Sequence, residues 1–370
     1  MWGEVSMRNR GVHFHISRRN DISWRKAWGI RCAVMALAFL LCGLITMAAT
    51  GLNPIKVYAA MIDGNFGTSR RFWMLLQNMA VLLSISLALV PAFRMRFWNL
   101  GGDGQALMGA LGAAACMILI GDKVPSFVLI LIMAVASIVC GMVWAAIPAW
   151  FKAKFGTNET LFTLMMNYVA IQLVAFFVIV WEMPKGSGKI GIINQSTQAG
   201  WFPQIGGNKY LLNILIALLI TVGVYIYMRY SKQGYELAVV GESGSTARYV
   251  GIKIQHVIIR TMMLSGALCG ITGLLLVGGT DHTLTTTIVS GRGFTGVMVA
   301  WLAKFNPFVM ILTTFLLVFL KGGSSEITTI FGLNQSFGDI ITGVLLFFIL
   351  GCDFFLNYTI SMSKSGKEAA

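Results

Sequence analysis

Ten apolar runs follow one another along the chain, at 30–49, 72–93, 106–120, 127–150, 161–181, 210–230, 257–279, 285–303, 305–320 and 337–355. Crossing a bilayer takes about 20 helical residues, and lipid offers no partner to a free backbone N–H or C=O. Runs of this length dictate spanning helices rather than the shorter strands of a barrel. Only 11% of the residues are charged, where a soluble domain carries about 25%. The expected fold is an all-α membrane protein of about ten transmembrane or re-entrant helices. Three runs, 106–120, 285–303 and 305–320, are short or interrupted.

Two glycine-rich stretches break the pattern. The first is Asn99-Leu100-Gly101-Gly102-Asp103-Gly104-Gln105 and the second is Ser290-Gly291-Arg292-Gly293-Phe294-Thr295-Gly296. They fall between the second and third runs and between the seventh and eighth, which are equivalent places if the ten divide five and five. An odd number of spans per half inverts the second half, so one break faces in and the other out. That is the pattern of an inverted repeat whose interrupted helices line a path. Glycine also lets membrane helices pack closely, and spacing alone does not choose between path and packing.

Basic residues set the orientation. The run 30–49 is too long for a signal-peptide core and lacks a clear cleavage site, so residues 1–29 read as a basic cytoplasmic tail. Arg94, Arg96, Lys152, Lys154, Arg229, Lys232, Arg248, Lys253, Arg260 and Lys304 then also fall inside. Lys56, Arg70, Arg71, Lys123, Lys185, Lys189, Lys209, Arg292 and Lys321 fall outside. Both termini are expected in the cytoplasm. Residues 30–356 form one transmembrane domain, with 182–209 an extracytoplasmic loop, 231–256 a cytoplasmic loop and 357–370 a cytoplasmic tail. The net charge of +14 belongs to this asymmetry and to anionic membrane lipid, not to nucleic acid.

Catalytic chemistry finds little support. The six cysteines lie in or beside apolar runs with no CxxC pair, and His13 and His15 do not close a zinc site. No metal, cofactor or catalytic residue is expected, and no G-x-x-x-x-G-K-[ST] phosphate loop is present. A proton-driven carrier usually holds Asp or Glu inside a span. Here Asp103 lies in the first break, while Glu159, Glu182, Asp339 and Asp353 sit near run ends. Sodium held by backbone carbonyls leaves an ion-coupled secondary transporter as an alternative. Polar and aromatic residues near the breaks give a candidate substrate path: Asn78, Phe97, Asn99, Gln105, Asn167 and Phe294, with Gln77, Trp98 and Trp301 beside them. Each has a plainer reading as a helix-to-helix hydrogen bond, worth about 0.6–2 kcal/mol, or as aromatic packing. Asp103 and Arg292 read as gate or helix-end charges, or as solvated loop charges.

The polar stretch 231–255 contains Gly234-Tyr235-Glu236-Leu237-Ala238-Val239-Val240-Gly241-Glu242 and then Ser243-Gly244-Ser245-Thr246-Ala247-Arg248-Tyr249-Val250-Gly251-Ile252. Ser245 can cap a short helix that Gly251 ends. Such a helix between glycines suits a docking element for a soluble partner, or an interfacial linker.

This stretch resembles the cytoplasmic coupling segment of permease subunits of bacterial ABC importers, in the branch for nucleosides, simple sugars and branched-chain amino acids. Three more stretches agree in order. Phe97-Trp98-Asn99-Leu100-Gly101-Gly102-Asp103-Gly104-Gln105 is similar to the "FNIGGEGQ" run of nucleoside-type permeases. Thr157-Asn158-Glu159 through Asn167-Tyr168 is similar to "NEVISTLMLNYIA", and Gly291-Arg292-Gly293-Phe294-Thr295-Gly296 to "GRGFTG". The chain departs from the family at Ala238, where Arg is frequent, and at Ser243–Ala247, where "NPEAA" is frequent. The resemblance implies a non-catalytic multi-pass subunit of the bacterial cell membrane. Separate ATP-binding subunits would dock through Gly241, Glu242, Ala247, Arg248 and Gly251. A second permease subunit and an extracytoplasmic substrate-binding protein are implied too. The cargo would be a nucleoside, with a simple sugar or riboflavin as alternatives.

Overall fold

The computed structural model describes residues 12–18 and 24–364; much of the basic tail 1–29 and the end of the tail 357–370 lie outside them. Among the described residues the chain is nearly all helical. Eight of its helices are long and apolar enough to cross a membrane, and the protein is a multi-pass membrane protein. All the α-helices in chain order are α1 (Trp24–Thr50), α2 (Pro54–Phe66), α3 (Ser69–Arg94), α4 (Gly102–Ile120), α5 (Ser126–Phe155), α6 (Glu159–Val180) and α7 (Leu211–Tyr230). Then come α8 (Lys232–Glu242), α9 (Gly244–Tyr249), α10 (Ile254–Leu276), α11 (Arg292–Leu302), α12 (Pro307–Ile330) and α13 (Gln335–Asn357). The all-α expectation holds for this bundle but misses a ribbon. Strands β1 (Val12–Arg18) and β2 (Tyr358–Lys364) pair antiparallel, from Val12 opposite Lys364 to Arg18 opposite Tyr358.

Four elements differ from the sequence expectation. The first break is not a gap before a short helix: Gly102 opens α4 itself, which gives it 19 residues. The run 305–320 extends as α12 to Ile330, because Gly and Ser after Leu320 do not stop a helix held by neighbours. Lys321, expected in an outer loop, therefore lies inside a helix. The run 285–303 is no spanning helix. A π-helical turn at Val277–Asp281 ends α10, irregular backbone follows, and α11 has only 11 residues. Helix α2 was not anticipated; the Asn53 side chain accepts from the Ile55 N–H and Pro54 stands in its first turn, a strong start signal.

The chain divides into two compact units, Met1–Gly67 with Leu320–Ala370, and Thr68–Phe319. In the first, α1 packs on α2 and α13. The Tyr58 hydroxyl donates to the Phe39 carbonyl, and Asn65 donates to the Met61 carbonyl at 2.9 Å.

In the second unit α10 is the hub, packed on α3, α4 and α5. Its closest contacts with α4 and α5 are made by backbone. Gly270 lies on Gly109 and on the Ser137 carbonyl, Gly266 on Gly141, and Gly273 on Ala106. A methyl group at Gly270 would overlap the Ser137 oxygen. Lipid gives helices no hydrophobic reason to associate, so close backbone packing does that work here. The Ser137 hydroxyl adds a 2.9 Å bond to the Gly109 carbonyl.

Candidate functional site

The two breaks meet. Asp103, in the first turn of α4, accepts a 2.8 Å hydrogen bond at Oδ1 from the Gly293 N–H, in the first turn of α11. Helix starts leave orphan N–H groups. Gly291, at φ 69, turns the chain into α11 and has no side chain to cap it, so Asp103 supplies the cap from another helix. Carboxylate also suits the positive end of a helix. The two helices run in opposite senses from this point. The end of α11 reaches the aromatic cluster at the end of α3, with Trp301 stacked on Trp98 at 5.3 Å. The end of α4 reaches the long loop after α6, where Asn194 donates to the Met117 carbonyl at 3.0 Å.

Asn99, Gln105 and Asn167 close on the protein itself. The Asn99 amide donates to Gln105 Oε1 at 3.2 Å and to the Ser265 hydroxyl at 3.1 Å. Its oxygen accepts from Gln105 Nε2 and from the Gly101 N–H, each at 3.0 Å. Asn167 accepts from the Gly104 N–H and donates to the Leu100 carbonyl, each at 2.8 Å, which caps α4 from α6. Thr163 holds the Leu100 N–H at 3.1 Å. Asn99, Gln105, Thr163 and Ser265 are each at most 1% exposed. Phe97 is buried with Leu237, Val257 and Met262. Thr163 and Ser265 were missed by sequence reasoning. Thr163 stands one helical turn before Asn167, on the same face, and that spacing was the available signal.

Asn78 and Phe294 lie differently. Phe294 is 44% exposed. Asn78 is partly buried, and its Oδ1 accepts from Arg292 Nη2 at 3.1 Å. The Arg292 guanidinium also reaches the Ile288 carbonyl at 3.2 Å. Arg292, expected in an outer loop, thus sits against the interior of α3. Beside it, Gln77 Nε2 contacts the Thr280 hydroxyl at 3.5 Å, and Gln77 Oε1 is buried without a partner among the described residues. Thr280 belongs to the π-helical turn, a distortion frequent at functional sites.

The polar stretch after α7 forms α8 and α9 at the end of the unit where Arg94, Arg96, Lys152, Arg248 and Lys253 gather. Ser243, not Ser245, caps α9, accepting from the Thr246 N–H at 3.3 Å; the two serine hydroxyls are 2.8 Å apart. Gly251, at φ 83, ends it. Gly241 lies against the Arg94 carbonyl at the end of α3, with no room for a side chain. Ala247 is buried. Glu242 and Arg248 are exposed, and Tyr249 is 94% exposed. Arg248 lines a hollow with Lys152, Lys253 and His256. The five residues therefore divide into an anchor, Gly241 and Ala247, an outward face, Glu242 and Arg248, and the Gly251 stop.

At the opposite end the loop after α6 covers the π-helical turn. The Ile193 N–H donates to the His282 carbonyl at 2.7 Å, and the Phe202 N–H to the Gly278 carbonyl at 2.9 Å. The His282 ring stacks on Trp201 at 3.9 Å. Burial, and secondarily the Lys209 charge, hold its imidazole below its ordinary range, although a contact to the Val277 carbonyl opposes them. In the same loop the Gly186 and Gly188 N–H groups hold the exposed Glu182 carboxylate below its ordinary range.

Residues 71–350 match the model of a family described as branched-chain amino acid transport system / permease component. The chain is 25% identical to the glucose ABC transporter permease protein of Haloferax volcanii, over 97% of each chain. It is 27% identical to the guanosine ABC transporter permease protein of Bacillus subtilis, over 84% of this chain and 89% of that one. It is 26% identical to the nucleoside ABC transporter permease protein of Lactococcus lactis subsp. cremoris, over 91% and 94%.

Proposed function

We propose, from the premise that this chain belongs to the branched-chain amino acid transport system / permease component family, that it forms the membrane path for uptake of a nucleoside. Separate ATP-binding subunits would drive it and a substrate-binding protein would supply it. The observation that carries this reading is the two-sided coupling segment. Its inner face, Gly241, is seated on the end of α3, and its outer face, Arg248 and Tyr249, is offered to a partner. A push on α9 would thus reach α3, whose next residues lead into the first break.

In this reading the basic end is cytoplasmic, both termini lie there, and the bundle is a five-plus-five inverted repeat with a second permease completing the pore. The opposed directions of α4 and α11 from one junction support the inverted repeat. Asn78 and Phe294 line the path. Phe97, Asn99, Gln105 and Asn167 shape it from behind, since their hydrogen bonds and packing are already used. Nucleoside cargo rests on the Gly101–Gln105 motif and on the guanosine and nucleoside relatives. A simple sugar is the second reading, favoured by the glucose relative that matches end to end.

The test is reconstitution in vesicles with ATP-binding subunits and receptor, comparing labelled guanosine with labelled glucose. ATP-dependent guanosine uptake, lost in Arg248→Glu, is expected. Uptake that ignores ATP and stops when the ion gradient collapses would overturn the reading in favour of an ion-coupled transporter.

A further inference from the structure

Helices α3, α8 and α11 all end around one cleft of ≈ 470 Å³ at the basic end of the second unit. Phe93, Trp98 and Trp301 form its wall, and Arg94, Arg96 and Glu242 its charged rim. The two indoles stack on each other yet remain 43% and 47% exposed. Among the described residues, neither arginine side chain nor the Glu242 carboxylate has a hydrogen-bond or ion-pair partner.

The backbone presents one of these charges at a cost. Helices α3 and α11 finish in the same way. The Arg96 N–H returns to the Phe93 carbonyl at 2.9 Å and the Phe97 N–H to Ala92 at 2.9 Å. The Lys304 N–H returns to Trp301 at 3.0 Å and the Phe305 N–H to Ala300 at 2.9 Å. The turning residue of such a cap is usually glycine. Here Arg96 stands at φ 60, and Lys304 at φ 50 in the matching cap of α11. A left-handed non-glycine residue at a site lined by unpaired charge is an outlier that asks for a functional reason.

Two guanidinium groups fit a phosphate. A third charge of opposite sign fits an ammonium, and exposed indoles belong at the headgroup level of a bilayer. We propose that this cleft seats the headgroup of a zwitterionic aminophospholipid. Its phosphate lies on Arg94 and Arg96, its primary ammonium on Glu242, and its glycerol end on Trp98 and Trp301. Because Arg94 ends α3 and Glu242 ends α8, the bound lipid ties the coupling segment to the helix that leads into the first break.

The test uses the full chain in non-ionic detergent, offered equal amounts of phosphatidylethanolamine, phosphatidylglycerol and phosphatidylcholine, with retained lipid counted by native mass spectrometry. Phosphatidylethanolamine should be retained at least about five-fold over either competitor, a factor equivalent to roughly 1 kcal/mol. Glu242→Gln should bring it down to the level of phosphatidylglycerol. Arg96→Gly should abolish the preference while unfolding at no lower temperature, since it also removes the left-handed strain, so loss of binding is separable from loss of fold. Soluble phosphoethanolamine should compete better than inorganic phosphate. Equal retention by wild type and Arg96→Gly would overturn the proposal. So would inorganic phosphate competing as well as phosphoethanolamine, which would mark a free-anion site.

Discussion

Asp103 in α4 accepts the Gly293 N–H of α11 at 2.8 Å, so each break finishes what the other leaves open. Asp103→Ala removes the only side-chain cap that α11 has among the described residues. Loss of a cap costs about 0.5–2 kcal/mol. Thermal unfolding of the purified chain should shift by that amount, and Asp103→Asn, which keeps an acceptor but not the charge, by less. Uptake should fall in both variants.

Asn167 and Asn78 should separate stability from transport. Asn167→Leu leaves the Gly104 N–H and the Leu100 carbonyl without their partner inside the bundle. Each orphaned buried group costs about 1–3 kcal/mol, so this variant should lower the unfolding temperature and the membrane abundance together. Asn78→Ala frees a guanidinium that keeps its carbonyl contacts. It should leave stability within about 0.5 kcal/mol of wild type while lowering solute uptake per molecule.

Coupling has a similar pair. Gly241→Val places a branched side chain against the Arg94 carbonyl and should lift α8 from α3. ATP hydrolysis by the assembled complex should then persist without uptake. Tyr249→Ala touches a 94% exposed ring. It should leave the unfolding temperature unchanged and weaken pull-down of the ATP-binding subunits.

His282 makes the loop after α6 sensitive to acid. Its imidazole titrates below its ordinary value, chiefly because it is buried, so the folded loop prefers the neutral ring. The stabilisation is whole above the unfolded value of about 6.5. It is lost as pH falls from there through the lower folded value, because the unfolded segment binds the proton first. Hydrogen exchange at Ile193 and Phe202, whose N–H groups bond to His282 and Gly278, should quicken at about pH 5 relative to about pH 7.5. His282→Gln should flatten that difference.

Much of the bundle was legible because lipid enforces it: helix placement follows run length, and most boundaries agree within a few residues. What could not be read was anything set by a distant partner. Gln105 looks the same in sequence whether it faces a solute or Asn99; only the fold brings Asn99, Ser265 and Gln105 together. Arg292 carries the charge of an outer loop residue, yet Asn78 and the Ile288 carbonyl hold it against α3. The short helix that Gly251 ends was legible in its residues, but its cap is Ser243 and not Ser245, because both hydroxyls stand before the same helix and only backbone geometry chooses. Helix α12 ran on through glycine and serine because nothing local is strong enough to end a helix there.

The bare spine of α10 has a mechanical consequence. Where Gly266, Gly270 and Gly273 meet Gly141, Gly109 and Ala106, backbone lies on backbone and there are no rotamers to switch. A joint without adjustable parts transmits displacement but does not absorb it. In the proposed transport cycle, α4, α5 and α10 would move together, and the give would come from the irregular backbone that enters α11.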